Sequence, residues 1–106
     1  MKLSHSAGEV TAAPGSEVRI PLTLSVAKEL RDPIRITLLP SESQTNLISA
    51  EPITLTSGQT TATLTVRLMN DANLNDEQTL VVRATSLKEG RWPVISETTV
   101  LVSIRR

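Results

Sequence analysis

Several residue types are missing or rare in this chain of 106 residues. There is no cysteine, which excludes disulfides, thiol catalysis and thiolate metal sites together. Phenylalanine and tyrosine are also absent, and Trp92 is the single aromatic residue. Eleven basic and eleven acidic residues cancel, so no long-range field attracts a polyanion. Single-strand binders also need aromatic stacking platforms, and we therefore do not expect nucleic-acid binding.

Long apolar segments are missing too. No run approaches the ~20 apolar residues that a membrane-spanning helix needs, so we expect no membrane insertion. The N-terminus turns polar at Ser4 and His5, so no signal-peptide apolar stretch follows Met1. We expect a fragment of a larger protein that is secreted, periplasmic or at the cell surface, with its export signal outside this segment.

Apolar and polar residues alternate along most of the chain. In the run 17–25, apolar residues occupy every even position. A period of two places them on one face of a strand, whereas on a helix they would scatter around the axis. Pro21 falls on the polar phase, which is awkward in a central strand. The side chains predicted to face inward are Val18, Ile20, Leu22, Leu24, Ile36, Leu38, Leu55, Leu64, Val66, Leu80, Val82, Val100 and Val102.

Turn residues separate the alternating runs, at Pro14-Gly15, Asp32-Pro33, Ser57-Gly58 and Glu89-Gly90. The turn at 57–59 is short enough for a hairpin. Short strands without intervening amphipathic helices are typical of an antiparallel β-sandwich, so we predict an all-β fold of about seven strands. Only 26–30 and 70–78 could hold a helical turn.

The length fits one domain with one core. We predict a disordered N-terminal segment at 1–7, which includes His5, and a sandwich domain at 8–106 that is monomeric when isolated. A lone histidine in such a segment cannot build a usual zinc site or a catalytic triad. No pair of acidic residues is expected to converge in a cleft, so we predict no catalytic residues, no cofactor and no enzyme activity.

The segments 48–55 and 57–66 read ISAEPITL and SGQTTATLTV. A strand, a Gly-Gln turn and a threonine-rich strand that lead into a corner loop at 70–76 resemble bacterial immunoglobulin-like modules of large exported proteins. These include the sandwich domain that accompanies some α-galactosidases. The resemblance covers residues 16 to 104 and consists of strand and turn order. Such modules often carry a corner tyrosine, and here Gln78 stands at that place.

The resemblance implies an immunoglobulin-like sandwich with a structural or interaction role. We expect a spacer or docking domain whose partners are neighbouring domains of the same chain. The alternative is a ligand-binding module for a glycan or a protein, or for calcium. The outward threonines, such as Thr61, Thr63 and Thr65, could hydrogen-bond a glycan, although threonine also serves strand propensity.

The calcium alternative depends on the segment 71–77. Its oxygen-bearing residues are Asp71, Asn73, Asn75, Asp76 and Glu77. Asp-x-Asn-x-Asn begins the calcium loop of helix-loop-helix proteins, but that loop then needs glycine where Asp76 stands and glutamate where Val82 stands. Sandwiches of the Calx-β type place acidic residues in comparable loops, and the segment resembles them loosely. The simpler interpretation is that Asn and Asp form and cap a turn.

Trp92 and Arg91 are the candidate interaction residues. Both follow the turn at Glu89-Gly90, where a displayed indole could stack on a sugar or anchor a partner. Large rings are usually mostly buried, so the interpretation that we favour is an indole that covers the open end of the core.

Overall fold

The computed structural model describes residues 1–8, 10–26, 32–39, 44–56, 58–88 and 90–106. Nine strands are assigned in these ranges: β1 (Lys2–His5), β2 (Val10–Ala12), β3 (Glu17–Ser25), β4 (Ile34–Leu39), β5 (Ile48–Ala50), β6 (Ile53–Leu55), β7 (Thr61–Leu68), β8 (Glu77–Lys88) and β9 (Trp92–Ile104). They form a four-stranded sheet of order β1-β3-β7-β5 and a five-stranded sheet of order β2-β9-β8-β4-β6. The pairs are antiparallel except β2 with β9. The all-β, immunoglobulin-like sandwich is confirmed.

The core consists of the predicted aliphatic side chains between the two sheets. Strand β3 alternates exposed and buried residues without exception, because its even positions face the other sheet. Twelve of the thirteen side chains predicted to face inward are buried, and Leu38 is only partly buried at the end of β4. The core also contains side chains that are not among these thirteen, namely Leu3, Ile34, Ile48, Leu68, Leu74, Ala84 and Ile104.

Pro21 lies in a strand with neighbours on both sides, where a missing backbone N–H would cost a hydrogen bond. Its carbonyl accepts a bond from the Ser6 N–H at 3.2 Å, just beyond the end of β1. In an antiparallel pair the N–H and C=O of one residue point the same way. The proline nitrogen therefore faces Ser6, just beyond the end of β1, and no bond to β7 is lost.

Two segments change sheets, which raises the strand number from about seven to nine. Residues 2–12 pair first with β3, as β1, and then with β9, as β2. Residues 48–55 pair first with β7, as β5, and then with β4, as β6. The predicted hairpin at 57–59 is therefore wrong, since β6 and β7 belong to different sheets. Gly58, with φ of 92°, still makes a turn there.

The N-terminal segment 1–7, expected to be disordered, contains a strand. Its Leu3 is 3% exposed and lies opposite Leu24 of β3. Burial of this side chain in the core offsets the entropy of ordering the terminus.

Some of the predicted turns include residues that the structure does not describe. Residues 27–30 of the suggested helical turn, Ser57 and Glu89 lie outside the described residues. The segment 70–78 forms turns and the start of β8. Within the described ranges, no helix has the length and apolar character to cross a membrane.

Candidate functional site

The outer face of the five-stranded sheet carries exposed apolar side chains. Strands β8 and β9 form a long hairpin, paired from Glu77 with Ser103 to Lys88 with Trp92. Odd-numbered residues of both strands point away from the core. Among them Leu87 is 44% exposed, Ile95 55% and Leu101 66%. We call Leu87, Ile95 and Leu101 the outer apolar surface.

The opposite face of the sandwich is polar. On the four-stranded sheet the outward positions of β3 and β7 are Glu17, Arg19, Pro21, Thr23, Thr61, Thr63, Thr65 and Arg67. A groove of about 410 Å³ lies at the edge of this face, beside Thr63, Thr65 and Arg67. The two outer faces therefore differ in chemistry, and among the described residues the large exposed aliphatic side chains lie on the five-stranded sheet.

An ion pair interrupts the outer apolar surface. The Arg83 Nε donates to the Glu97 carboxylate at 2.7 Å, and both side chains are about two-fifths exposed. Exposed pairs of this kind contribute about 0–1 kcal/mol to stability. The pair therefore matters more for the polarity of the surface than for the fold.

The position of Trp92 corrects the favoured interpretation. Its side chain is 61% exposed, so it does not cover the core. Trp92 belongs to the inward phase of β9, together with the partly buried Val94. The strand extends two residues beyond Val94 toward the turn of the hairpin. The indole is thus displayed near the tip of the hairpin, and Arg91 beside it is exposed as well.

The base of the hairpin tip is held by the segment before β4. The Gly90 N–H donates to the Asp32 carboxylate at 3.0 Å, and the buried Ser86 hydroxyl donates to the carbonyl of Pro33 at 3.0 Å. These bonds tie the tip to the segment that leads into β4 of the same sheet. Trp92 and Arg91 therefore lie on a hairpin tip whose base is fixed by hydrogen bonds.

One edge of β9 is unpaired over most of its length. The Ile104 N–H donates to the Asp76 carbonyl, so the even-numbered residues of β9 direct their backbone groups to β8 and the odd-numbered ones away from it. Strand β2 covers only Val102–Ile104. Between Ile95 and Leu101, none of the strands that the structure describes pairs with this edge.

His5 contacts this edge through its side chain. The ring Nε2 donates to the Thr99 carbonyl at 2.9 Å, and the ring Nδ1 is buried without a hydrogen-bond partner. Nearby, the Leu3 N–H donates to the hydroxyl of Ser96, whose side chain points inward. Strand β1 therefore contacts β9 through these two bonds and does not pair with it as a strand.

A groove of about 450 Å³ lies beside this edge. Its walls include His5 and Gly8 on one side and Leu101 and Ser103 on the other. The groove lies between the end of β1 in one sheet and the start of β2 in the other.

The loop 71–77 is built around two buried glutamines, Gln44 and Gln78, which are far apart in the sequence. The Gln78 Nε2 donates to Gln44 Oε1 and to the Asn75 carbonyl, both at 2.9 Å. The same Gln44 Oε1 accepts from the Asn75 N–H at 3.0 Å, and the Gln44 Nε2 donates to the Asn73 carbonyl at 3.3 Å. Gln78 thus fixes the corner where related folds often use a tyrosine. Gln44 gave no sequence signal, since it lies 34 residues away in the chain.

The oxygen-bearing side chains of the loop make turn contacts. The Asp71 carboxylate accepts from the Asn73 N–H at 2.7 Å, as in an Asx turn. The Asp76 carboxylate accepts from the Arg106 Nε at 2.9 Å, and Glu77 accepts from the Ser103 hydroxyl. In the described part of the chain, no three His, Asp or Glu side chains converge as metal ligands would. The calcium hypothesis stays a prediction.

Comparison with known proteins shows the fold. No protein-family model matches the chain, and no curated protein matches it. Among solved structures, the chain is similar to the periplasmic chaperone SfaE, with a TM-score of 0.61 and 12% sequence identity. The match covers 98% of this chain and 57% of that one, so the chain spans little more than half of the chaperone. At this identity the likeness supports an immunoglobulin-like sandwich and does not carry a function.

Proposed function

We propose that the chain is a non-catalytic interaction module of a larger exported protein, and that it docks a neighbouring domain or a protein partner on the outer apolar surface. One observation carries the proposal. Of the five large hydrophobic side chains that are exposed in the described part of the chain, Leu87, Ile95 and Leu101 form the outer apolar surface, and Trp92 lies at the tip of the same hairpin. A concentration of exposed apolar side chains marks interaction sites on soluble domains.

The energetics favour weak or multivalent docking. Complete burial of an aliphatic side chain contributes roughly 1.5–3 kcal/mol. Since Leu87, Ile95 and Leu101 are about half exposed, covering each would contribute roughly 1 kcal/mol. Such a surface suits a partner that is already tethered in the same chain, because tethering supplies a high effective concentration.

The exported location and the bacterial module class belong to the same proposal. The similarity to a periplasmic chaperone supports an exported setting, and the resemblance to sandwich modules beside glycosidase domains supports a multidomain parent. The proposal gives no residue of the chain a catalytic role. Its interaction residues are those of the outer apolar surface, with Trp92 and Arg91 at the tip.

The test compares amide hydrogen exchange of this 106-residue chain with that of the longer natural protein. We expect slower exchange in peptides from 93–101 of the longer protein and no change in peptides from 61–67, which cover the polar face. Ile95→Thr should abolish the added protection, while Thr63→Ala, on the polar face, should leave it intact. Equal exchange in both proteins at 93–101 would show that the module does not dock through this surface.

The exposure of Trp92 favours a second candidate, the binding of a glycan by stacking on the indole. A glycan array probed with the chain and with its Trp92→Ala variant tests this function. Binding that disappears with Trp92→Ala and persists with Leu87→Ala would support it. The absence of any bound glycan would reject it.

A further inference from the structure

We propose that the unpaired edge of β9 between Ile95 and Leu101 binds an extended segment of a protein partner, which adds a strand to the five-stranded sheet. The inference rests on the proposed function, because it names how a partner would engage the same hairpin. It differs in its chemistry, since the recognition uses backbone groups in addition to apolar side chains.

The backbone groups supply the first argument. The backbone N–H and C=O groups of four residues point away from β8, at the edge of the sheet: Ile95, Glu97, Thr99 and Leu101. Among these groups only the Thr99 carbonyl has a described partner, the His5 side chain. A row of unpaired strand groups is a template for another strand. Twelve residue pairs with β8 hold this row in extended conformation, so little ordering of β9 is needed on binding.

The two ends of the row set the length of the segment. Pro93 has no N–H and ends the row on one side. Val10 of β2, opposite Val102, ends it on the other. Seven residues remain, which at ~3.3 Å per residue extend about 20 Å. The edge therefore fits a segment of about six or seven residues.

The side chains of β9 define the pattern of the segment. Cross-strand neighbours lie on the same face. Residues opposite Ile95 and Leu101 would extend the outer apolar surface, so we expect aliphatic side chains there. A residue opposite Glu97 would lie beside a carboxylate that Arg83 already neutralises, which favours a hydroxyl. The face of the partner segment that extends the outer apolar surface thus carries β-branched aliphatic residues at its two ends and threonine or serine between them.

His5 protects part of the edge. Its ring occupies the Thr99 carbonyl, which an incoming strand would need for a complete ladder. Native sheets commonly block exposed edges with such local devices. A partner segment that pairs along the whole edge must therefore displace the His5 ring. We expect His5→Ala to strengthen the binding of that segment.

The experiment fuses a probe segment, Val-Thr-Thr-Thr-Thr-Thr-Val, to the C-terminus through a Gly/Ser linker of twelve residues. At about 5–6 Å × √n such a linker spans about 19 Å, enough to return from Arg106 to the edge. The readout is amide hydrogen exchange of Ile95 and Leu101 by NMR. We expect at least tenfold slower exchange in the fusion than in the unfused chain, and a further slowing with His5→Ala.

A matched pair of variants separates backbone pairing from apolar contact. Glu97→Pro removes one outward N–H without removing a bond to β8, whereas Glu97→Thr removes the same carboxylate and keeps the N–H. The slowing should survive Glu97→Thr and fall at least fivefold with Glu97→Pro. If the exchange of Ile95 and Leu101 is slowed equally in both variants, the inference is overturned. It is also overturned if exchange in the fusion is no slower than in the unfused chain. Concentration-dependent slowing in the unfused chain would overturn it in favour of a second copy. In each of these cases protection of 93–101 in the longer protein would leave the proposed docking function standing.

Discussion

Gln78→Ala is the substitution whose effect follows most directly from the structure. The buried Gln78 amide donates to Gln44 and to the Asn75 carbonyl. Two lost bonds cost about 2 kcal/mol at a net contribution near 1 kcal/mol each. The partly filled cavity adds about 1 kcal/mol, at the low end for truncation of a buried side chain. We therefore expect a loss of about 3 kcal/mol in the free energy of unfolding.

The assay is urea unfolding followed by circular dichroism. With a slope of about 1–3 kcal/mol per molar urea, a loss of 3 kcal/mol lowers the midpoint by roughly 1–3 M. Gln44→Ala and the double variant complete a cycle whose coupling should be about 1 kcal/mol or more, because the two amides bond directly. The exposed Thr79→Ala is the control. A loss below about 0.5 kcal/mol for Gln78→Ala, the level of an ordinary surface change, would refute the interpretation of a glutamine-fixed corner.

Three further predictions concern Trp92, Gly15 and the loop 71–77. Trp92 fluorescence should be close to that of free tryptophan in water and readily quenched by acrylamide, and a strong blue shift in the folded chain would contradict the display of the indole. Gly15→Ala should cost about 1–2 kcal/mol in thermal unfolding, because φ is 81° and the added carbon would lie 3.3 Å from Asn70, while Gly8→Ala, which meets nothing within 4 Å, serves as control. Millimolar calcium should leave the amide NMR shifts of 71–77 unchanged, since the loop carbonyls and carboxylates are engaged with protein donors, and shifts confined to that loop would support calcium binding instead.

The sequence allowed the sandwich to be predicted because alternation reports directly on which face of a strand is buried. The run around Ile20 and Leu22 shows this, since every predicted inward residue of β3 is buried. Alternation does not report which sheet a strand joins. For that reason the segment around Ile53 was assigned to a hairpin, although it pairs with β4.

The candidate site was harder to predict than the fold. The exposure of Trp92 depends on how far the hairpin extends beyond the opposite sheet, and a single strand carries no information on that length. The Gln44–Gln78 contact joins distant segments, and neither glutamine stands in a motif. Leu3 lies in a polar N-terminal stretch, so its place in the core depends on the register with Leu24 and not on local pattern.

The parallel pairing of β2 with β9 determines how the domain would respond to mechanical tension. Val10 lies beside Val102 and Ala12 beside Ile104, so the first and last strands of the five-stranded sheet run side by side in the same direction. Pulling the two chain ends apart would slide these strands along each other and load their hydrogen bonds together, in shear. A module placed between other domains would in this way resist extension better than one whose terminal strands peel apart bond by bond.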